Sequence, residues 1–391
     1  MVLTHKPTFV THLDCSNCGI RYDMHKLNSF SLCCNKPLLV RYLAQKEFLK
    51  EELLYRRNDM WRYFEMMPIL SKENIVSLGE GMTPLIALKN LSNKYDIRNL
   101  IMKDESGNPT GSFKARGLSV AISKAKELGV DTCVIPTAGN AGGAMSAYCA
   151  KAGMKAIVVM PRHTPKVFKE ECELYNAQLI LVDGLISDCA KKLAGIKEGK
   201  GYFDLSTCKE PYRLEGKKTM GYEIAEQLNW ILPDVILYPT GGGTGLIGIW
   251  KAFQEMIDMG WIEDRLPKMI AVQATNCCPI VQTWNGLQIN SKNYIGKASI
   301  ANGLAVPNPF AEDLILSTLH ESNGMAMAVS DDEMISAVKE IAREEGLLIA
   351  PEGGALFTAL IQLIKEGFIQ RNENILLLNT GSGYKYLENV I

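Results

Sequence analysis

Four short stretches of the sequence hold residues whose types and spacing could perform chemistry. They read NPTGSFKARG at 108–117, PTAGNAGG at 136–143, PTGGGTG at 239–245 and NTGSG at 379–383. The last three are glycine-rich turns between a predicted strand and a predicted helix, where backbone N–H groups bind anions. The first places Lys114 at a helix start, where the helix dipole disfavours a charged ammonium and favours a reactive amine. We therefore expect one planar, anionic ligand that is held from several sides.

The glycine turn at 241–245 has two possible interpretations. It follows the apolar run VILYPT and opens a predicted helix, which is the arrangement of a phosphate site. The stretch Gly243-Thr-Gly245-Leu-Ile-Gly248 also matches a dinucleotide fingerprint, so an NAD-dependent oxidoreductase is an alternative. That fingerprint expects an acidic residue about 20 positions later, at the end of the next strand. The next apolar run ends instead at Gln273 and Ala274, and the sequence favours a single phosphate.

Apolar strands alternate with amphipathic helices from Leu78 onward, which predicts an α/β fold with parallel sheets covered by helices. A charged helix is predicted at 45–66, ended by Pro68. The predicted strands are 99–103, 132–136, 155–160, 178–182, 234–238, 268–273 and 374–379. The predicted helices are 112–128, 141–152, 166–175, 221–230, 245–259, 331–345 and 353–365.

Composition limits the classes of function. The chain has 391 residues with 42 Lys+Arg and 43 Asp+Glu, so its net charge of -1 predicts no binding to nucleic acid or to an anionic membrane surface. No apolar stretch approaches the roughly 20 residues that span a bilayer. The first ten residues lack the layout of a secretory signal. We expect a cytoplasmic protein that acts on a small molecule.

The eleven cysteines are odd in number, and disulfides are not expected in a cytoplasmic chain. The cluster with ligand-like spacing is Cys15, Cys18, Cys33 and Cys34, which predicts either a structural zinc site or a metal-free folded lobe. Because Cys33 and Cys34 are adjacent, we do not expect both sulfurs to reach one ion. We expect one of these two cysteines to be a metal ligand, with His12 or His25 in place of the other.

The chemistry-bearing blocks together resemble a known family. SFKxRG after NPTG, the pair Gly139-Asn140, the loop GGGTG and the late TGSG occur in the order seen in the tryptophan-synthase-like, fold-type-II family of pyridoxal-phosphate enzymes. Within it, LGEGMTPL at 78–85, LEGKKTMGYEIAEQL at 214–228 and APEGG at 350–354 look like blocks of the threonine synthases. Two positions depart from that pattern: Ala115 stands where many members carry Asp, and GGGTG is closer to the loop of dehydratases and cysteine synthases.

The resemblance implies roles for individual residues. Lys114 would hold pyridoxal 5'-phosphate as a Schiff base and transfer protons, Asn140 would bind the ring hydroxyl, and Thr380 would lie beside the pyridine nitrogen. A threonine hydroxyl there makes the ring a weaker electron sink than a carboxylate would, which suits elimination and replacement at the β and γ carbons. The cofactor phosphate would be held by the backbone of Gly241, Gly242, Gly243, Thr244 and Gly245.

The resemblance also implies a fold and a reaction. The fold would be that of the tryptophan synthase β-like enzymes, with a small domain at 111–212, a large domain at 44–110 and 213–391, and the cysteine-bearing segment at 1–43. The reaction would convert O-phospho-L-homoserine and water into L-threonine and phosphate, in a homodimer. Candidates for binding the substrate phosphate are Ser112, Arg116 and Lys217.

Alternatives from the same family are a serine/threonine dehydratase and a β-replacement enzyme of the cysteate or cysteine synthase kind. A non-catalytic regulatory protein, or one that zinc bridges to a partner, is a further alternative, against which the intact Lys114 block argues.

Overall fold

The structure is a computed structural model, and it describes residues 7–184, 186–287 and 294–390. The predicted N-terminal segment forms a small antiparallel sheet with strand order β2-β1-β3. Its strands are β1 (Val10–Cys15), β2 (Arg21–Tyr22) and β3 (Leu38–Tyr42). The first six residues of that segment lie outside the described part of the chain.

Two larger sheets contain the remaining strands of the described chain. These are β4 (Leu85–Ala87), β5 (Asn99–Asp104), β6 (Thr132–Pro136), β7 (Lys155–Pro161), β8 (Gln178–Val182), β9 (Phe203–Asp204), β10 (Val235–Pro239), β11 (Lys268–Ala274), β12 (Met325–Val329) and β13 (Asn374–Asn379). The helices are α1 (Lys89–Tyr95), α2 (Lys114–Glu127), α3 (Asn140–Ala152), α4 (Lys166–Leu174), α5 (Ile186–Lys197), α6 (Tyr212–Gln227), α7 (Thr244–Asp258), α8 (Pro279–Trp284), α9 (Glu312–Glu321), α10 (Asp331–Glu345), α11 (Pro351–Lys365) and α12 (Leu387–Val390).

The predicted α/β class with two parallel sheets is confirmed. One sheet has the order β12-β11-β10-β13-β5-β4 and is parallel except for the edge strand β4. The other has the order β8-β7-β6-β9 and is parallel throughout. The central strands β10 and β13 are buried along nearly their whole length, because helices cover both faces of such a sheet.

The predicted charged helix at 45–66 is wrong. The structure has two short 3-10 helices, Lys50–Tyr55 and Met60–Met66, and the chain is extended at Arg56 between them. Every residue of Met60–Met66 is buried, so this segment has no solvent face of the kind that an amphipathic surface helix needs. The Asp59 side chain accepts a hydrogen bond from the backbone N–H of Trp61 and starts the second segment separately.

The chain divides into two compact units. The first comprises Met1–Met82, Lys114–Gly221 and Gln254–Trp261, and the second comprises Thr83–Phe113, Tyr222–Phe253 and Ile262–Ile391. This partition differs from the predicted domains, since most of 44–110 falls in the first unit up to Met82. The division at 43, 110 and 212 stays a prediction.

In the first unit, a buried carboxylate ties α2 and α3 to the segments that contain Trp61 and Leu78. Glu80 is fully buried and accepts hydrogen bonds from Trp61 Nε1 at 2.9 Å, Ser119 Oγ at 2.6 Å and the Tyr148 hydroxyl. The backbone N–H of Leu78 is a further donor, at 2.9 Å. A buried carboxylate with several donors orders the groups around it.

In the second unit, a buried lysine on β5 is fully satisfied. Lys103 Nζ lies 2.7 Å from the carbonyl oxygen of Thr83, 2.8 Å from Glu223 Oε2 and 2.8 Å from Gln227 Oε1. The side chains of Lys103 and Glu223 have no exposed surface. Three acceptors match the three N–H donors of an ammonium group, so the charge is compensated in place.

We expect Lys103→Met to lower the free energy of unfolding by about 3–5 kcal/mol, because Glu223 is left as an unpaired buried charge. The double variant Lys103→Met/Glu223→Leu is expected to regain much of that loss. Urea unfolding measures both. The surface pair of Lys94 and Glu340, 2.9 Å apart, provides the control, since Lys94→Met should cost about 1 kcal/mol or less. A double variant as unstable as the single one would contradict this account.

Candidate active site

In the second unit, three functional segments follow neighbouring strands. The register pairs Leu237 of β10 with Leu377 of β13, and Asn379 of β13 with Asp104 of β5. Because these strands are parallel, the segments after them leave from the same edge of the sheet. Those segments are the glycine turn at 241–245, the TGSG turn at 380–383 and the NPTGSF block at 108–113. Ligands of parallel sheets bind at this edge.

The glycine turn has no room for side chains. A Cβ atom at Gly241 would overlap the carbonyl oxygen of Gly303, and one at Gly245 would overlap the Tyr238 hydroxyl. Gly243 has a φ of +75°, where a side chain is strained, and its Cβ would overlap Ile315. The turn leads into α7, whose first N–H groups lack partners within the helix. This is a backbone cradle for an anion.

The lysine block and the TGSG turn are joined by hydrogen bonds within the second unit. The backbone N–H of Phe113 donates to the carbonyl oxygen of Thr380 at 3.0 Å, and that of Ser382 donates to the carbonyl oxygen of Gly111 at 2.9 Å. Thr380 is buried, and so is Ser112, whose Oγ has no hydrogen-bond partner among the described residues. These contacts fix the backbone immediately before Lys114.

In the first unit, Lys114 and Asn140 each begin a helix. Lys114 is the first residue of α2, and Asn140 is the first residue of α3, after the turn that follows β6. The turn is held by a hydrogen bond from the Gly139 backbone N–H to Thr137 Oγ1, 3.2 Å long. The prediction that Lys114 and Asn140 lie at helix N-termini is therefore confirmed. The contacts of these two residues with a cofactor stay a prediction.

Helices α2 and α6 cross at very short range. A Cβ atom at Gly117 would lie 2.7 Å from the Arg213 carbonyl oxygen and 2.7 Å from Lys217 Nζ, and one at Gly216 would overlap the carbonyl oxygen of Arg116. The Lys217 amine thus lies over the first turn of α2. Burial, and then the positive charges of Arg213 and Lys114, hold the pKa of Lys217 well below its usual range.

Arg213 is a functional candidate that sequence reasoning missed. Its side chain is buried, one terminal nitrogen donates to the Leu205 carbonyl oxygen, and its Nε has no hydrogen-bond partner in the described part of the chain. Glu210 accepts hydrogen bonds from the backbone N–H of Tyr212 at 2.7 Å and of Arg213 at 3.0 Å, and so holds the start of α6. Its place in the sequence could have identified it, because Arg213 directly precedes the recognised block at 214–228.

Arg116 is not at the surface, where arginine side chains usually lie. It is fully buried, and one of its terminal nitrogens donates to Thr219 Oγ1 at 3.0 Å. This bond links α2 to α6 within the first unit. A role of Arg116 toward a substrate phosphate stays a prediction.

An NAD-dependent oxidoreductase would use an acidic residue to bind the ribose of the dinucleotide. At the end of β11, where an acidic residue would bind it, stands the fully buried Gln273. Its amide nitrogen donates to the Thr240 carbonyl oxygen at 3.1 Å, and its amide oxygen accepts from the Val281 N–H at 3.2 Å. Both polar atoms are engaged by the backbone, so this position does not supply the carboxylate that a dinucleotide fold uses.

The four N-terminal cysteines lie together. The sulfur atoms of Cys15, Cys18, Cys33 and Cys34 are all within 4.8 Å of one another. The expectation that adjacent cysteines could not both reach one centre is wrong, and neither histidine belongs to this group. The Sγ atoms of Cys18 and Cys33 are 3.4 Å apart.

None of the helices in the described ranges is long and apolar enough to cross a membrane. All eleven cysteines are free thiols.

Comparison with known proteins places this architecture. Residues 76–381 match the family described as pyridoxal-phosphate dependent enzyme. The threonine synthase of Methanocaldococcus jannaschii is 35% identical over 95% of this chain and 92% of its own, and that of Methanosarcina acetivorans is 33% identical over 97% and 93%. The structure of a processed threonine deaminase isoform from Solanum lycopersicum covers 79% of this chain and 86% of its own, with a TM-score of 0.64 and 21% identity. The last likeness concerns the fold alone.

Proposed function

The chain belongs to the family of pyridoxal-phosphate-dependent enzymes, and on that premise we propose that it converts O-phospho-L-homoserine and water into L-threonine and phosphate. The observation that carries the proposal is the 35% identity to a threonine synthase over 95% of the chain. The buried cations of α6 support a phosphorylated substrate independently of that identity.

The glycine cradle fits the phosphate of the cofactor. A phosphate needs close approach to backbone N–H groups, and any side chain at Gly241 or Gly245 would already overlap a neighbouring oxygen of the protein. The N-terminus of α7 adds its positive dipole end. We assign this role to the backbone of Gly241, Gly242, Gly243, Thr244 and Gly245.

When bound, pyridoxal phosphate supplies an electron sink for negative charge that develops on the carbons of the amino acid. Lys114 provides the covalent attachment, and its Nζ takes the α proton of the substrate and returns protons later in the reaction. The amine of Lys217 lies close to the first turn of α2, the helix that Lys114 begins.

Asn140 and Thr380 are proposed to orient the cofactor ring, through its hydroxyl and its pyridine nitrogen respectively. The position of Thr380 is supported by its burial and by the bond from the Phe113 N–H to its carbonyl oxygen. A neutral hydroxyl does not stabilise a protonated pyridine as a carboxylate does, and this limits the reaction to elimination and replacement rather than transamination.

We propose that Lys217 and Arg213 bind the substrate phosphate. Both are buried on one side of α6, where a phosphate would form charge-assisted hydrogen bonds with two cationic side chains. Ser112, with its buried and unpartnered hydroxyl, is a further donor candidate, and Arg116 stays one that only substitution can test. Serine and threonine carry no phosphate that could bind these cations, which is the argument against the dehydratase alternative.

We further propose that the enzyme is a homodimer in the cytoplasm. Eleven free thiols suit a reducing compartment. Light scattering of the purified protein measures the number of chains directly.

The role of the glycine cradle is tested by substitution. Gly243→Ala is expected to reduce the affinity for pyridoxal phosphate at least about 10-fold, because one lost charge-assisted hydrogen bond is worth about 1.5–3 kcal/mol. Titration of the apoprotein, followed by cofactor fluorescence or absorbance, measures it. Gly260, just beyond the other end of α7, has the same φ of +75° and open space around its Cβ. Gly260→Ala should therefore share the backbone strain and keep the cofactor affinity. Equal losses in both variants would remove the cradle from its assigned role.

The proposed reaction is tested by turnover of O-phospho-L-homoserine. O-phospho-L-homoserine should yield threonine and phosphate in equal amounts, and Lys114→Ala should abolish both, since the variant lacks the attaching and proton-transferring amine. Amino-acid analysis and a phosphate assay follow the products. Lys126→Ala, an exposed change on the same helix, should leave turnover intact. An intact cofactor absorbance band with turnover of serine or threonine only would shift the assignment to a dehydratase.

Binding of the substrate phosphate is tested by substitution and by pH. Lys217→Met and Arg213→Met should each raise KM about 10-fold or more with a smaller effect on kcat, because each removes a charge-assisted bond to the phosphate. Since the pKa of Lys217 is lowered, its charge is lost as pH rises through that lowered value. The wild-type KM should therefore increase as pH rises, and the increase should begin below the usual lysine range.

Lys217→Arg is the matched control for the pH effect, because arginine stays charged and should flatten the increase. Arg116→Ala is measured in parallel, and an unchanged KM would exclude Arg116 from the phosphate site. A Lys217→Met variant with normal KM and reduced kcat would contradict the proposed binding role.

A further inference from the structure

The N-terminal lobe, defined here as residues 7–43, contains two turns of the same construction. In the first, the Gly19 N–H donates to the Cys15 carbonyl oxygen at 2.9 Å, and in the second, the Asn35 N–H donates to the Ser31 carbonyl oxygen at 2.9 Å. Each turn ends on a residue of positive φ, +71° at Gly19 and +53° at Asn35. The two segments thus close into equivalent loops, although their sequences differ.

A comparison of the two turns, position by position, explains why Cys33 and Cys34 are adjacent in the sequence. Cys15 and Cys18 occupy the first and fourth positions of the first turn, and Ser31 and Cys34 occupy them in the second. Cys33, at the third position, supplies the sulfur that Ser31 lacks, and its Sγ lies 3.4 Å from that of Cys18. Ser31 is fully buried, and Cys15 Sγ donates to its Oγ at 3.2 Å.

We propose that Cys15, Cys18, Cys33 and Cys34 bind one zinc ion as four thiolates. A tetrahedral site with Zn–S bonds of about 2.3 Å needs sulfurs roughly 3.8 Å apart, and the four sulfurs here lie within 4.8 Å of one another. Outer donors of the kind that orient metal ligands are present, since the Tyr22 hydroxyl donates to Cys33 Sγ and Asn17 Nδ2 donates to Cys34 Sγ, each at 3.4 Å.

The zinc site is connected to α6 through the sheet of the same lobe. Cys15 ends β1 and pairs with Leu38 at the start of β3, and Tyr42 ends β3. The Tyr42 hydroxyl donates to Glu215 Oε2 at 2.8 Å, and Lys218 Nζ lies 3.7 Å from the centre of the Tyr42 ring. Lys218 also forms ion pairs with Glu215 at 2.7 Å and with Glu255 at 3.0 Å.

Helix α6 is thereby held on one side by the lobe, while its other side carries Arg213 and Lys217. The ion keeps the two turns closed, the turns keep β1 paired with β3, and β3 keeps Tyr42 against Glu215 and Lys218. The zinc lobe is therefore a positioning element for the cations of α6. Its effect on substrate affinity rests on the proposed function, whereas metal binding and the order of α6 do not.

The ligand set is tested by elemental analysis of the purified full-length holoenzyme. One zinc per chain is expected, with loss of zinc in Cys15→Ser, Cys18→Ser, Cys33→Ser and Cys34→Ser, and retention in Ser31→Ala and in the distant Cys189→Ser. Replacement by Co2+ should give the visible difference absorption of a tetrahedral thiolate site. Absence of zinc after reconstitution, or a Cys18–Cys33 disulfide found by mass spectrometry, would overturn the proposal. So would a variant series in which Ser31→Ala loses zinc and Cys33→Ser keeps it.

The connection is tested by hydrogen exchange and kinetics. Removal of zinc by a chelator, and Tyr42→Ala, should each speed exchange in 212–227, while α11 remains unchanged. Tyr42→Phe, which keeps the ring over Lys218 and loses the bond to Glu215, should show a smaller effect. KM for O-phospho-L-homoserine should rise severalfold in the same order, with kcat less affected. Unchanged exchange in 212–227 would overturn the positioning role. Faster exchange with unchanged KM would preserve that role and count against the proposed phosphate site.

Discussion

The site depends on the close crossing of α2 and α6. Gly117 and Gly216 allow the two backbones to touch, since a Cβ atom at either position would collide with the other helix. As a result, the amine of Lys217 lies over the first turn of the helix that Lys114 begins. A lysine and an arginine are thus brought together in a buried space, near the carboxyl group of Glu210, whose pKa is raised by burial. A phosphorylated substrate would add charge-assisted hydrogen bonds there.

Helix α6 separates its two tasks by face. Arg213 and Lys217 are four residues apart and share one side, whereas Glu215 and Lys218 are three residues apart and lie on the opposite side. The first side carries the cations that are proposed to bind a ligand, and on the second side Glu215 and Lys218 form an ion pair and Tyr42 donates a hydrogen bond to Glu215. A shift imposed on the second side moves the first side with it, since a helix of 16 residues behaves as a rigid rod over this distance. The lobe can therefore influence the proposed phosphate site through α6.

Sequence reasoning predicted the parts of the molecule that local rules determine. The apolar runs of β7, β10 and β13 and the glycine turns were recognisable, because buried parallel strands and helix-start anion sites leave strong patterns. The segment at 45–66 was misjudged, because its charges suggested a surface helix while tertiary packing buries Met60–Met66 completely. Arg213 and the pairing of Cys33 with Cys34 depend on a helix crossing and on a turn geometry. Neither leaves a signature in residue spacing.

The two phosphates in the proposed reaction call for different binding chemistry, and the structure offers different devices for them. The cofactor phosphate must stay bound through many turnovers, and backbone N–H groups with a helix dipole bind it without any titrating group. The substrate phosphate must leave as a product in each cycle. The proposed ligands for it are the guanidinium group of Arg213 and the amine of Lys217, whose pKa is lowered by burial and by the charges of Arg213 and Lys114. A bound phosphate favours the charged form of such a lysine, so this ligand responds to the anion, whereas backbone N–H groups do not.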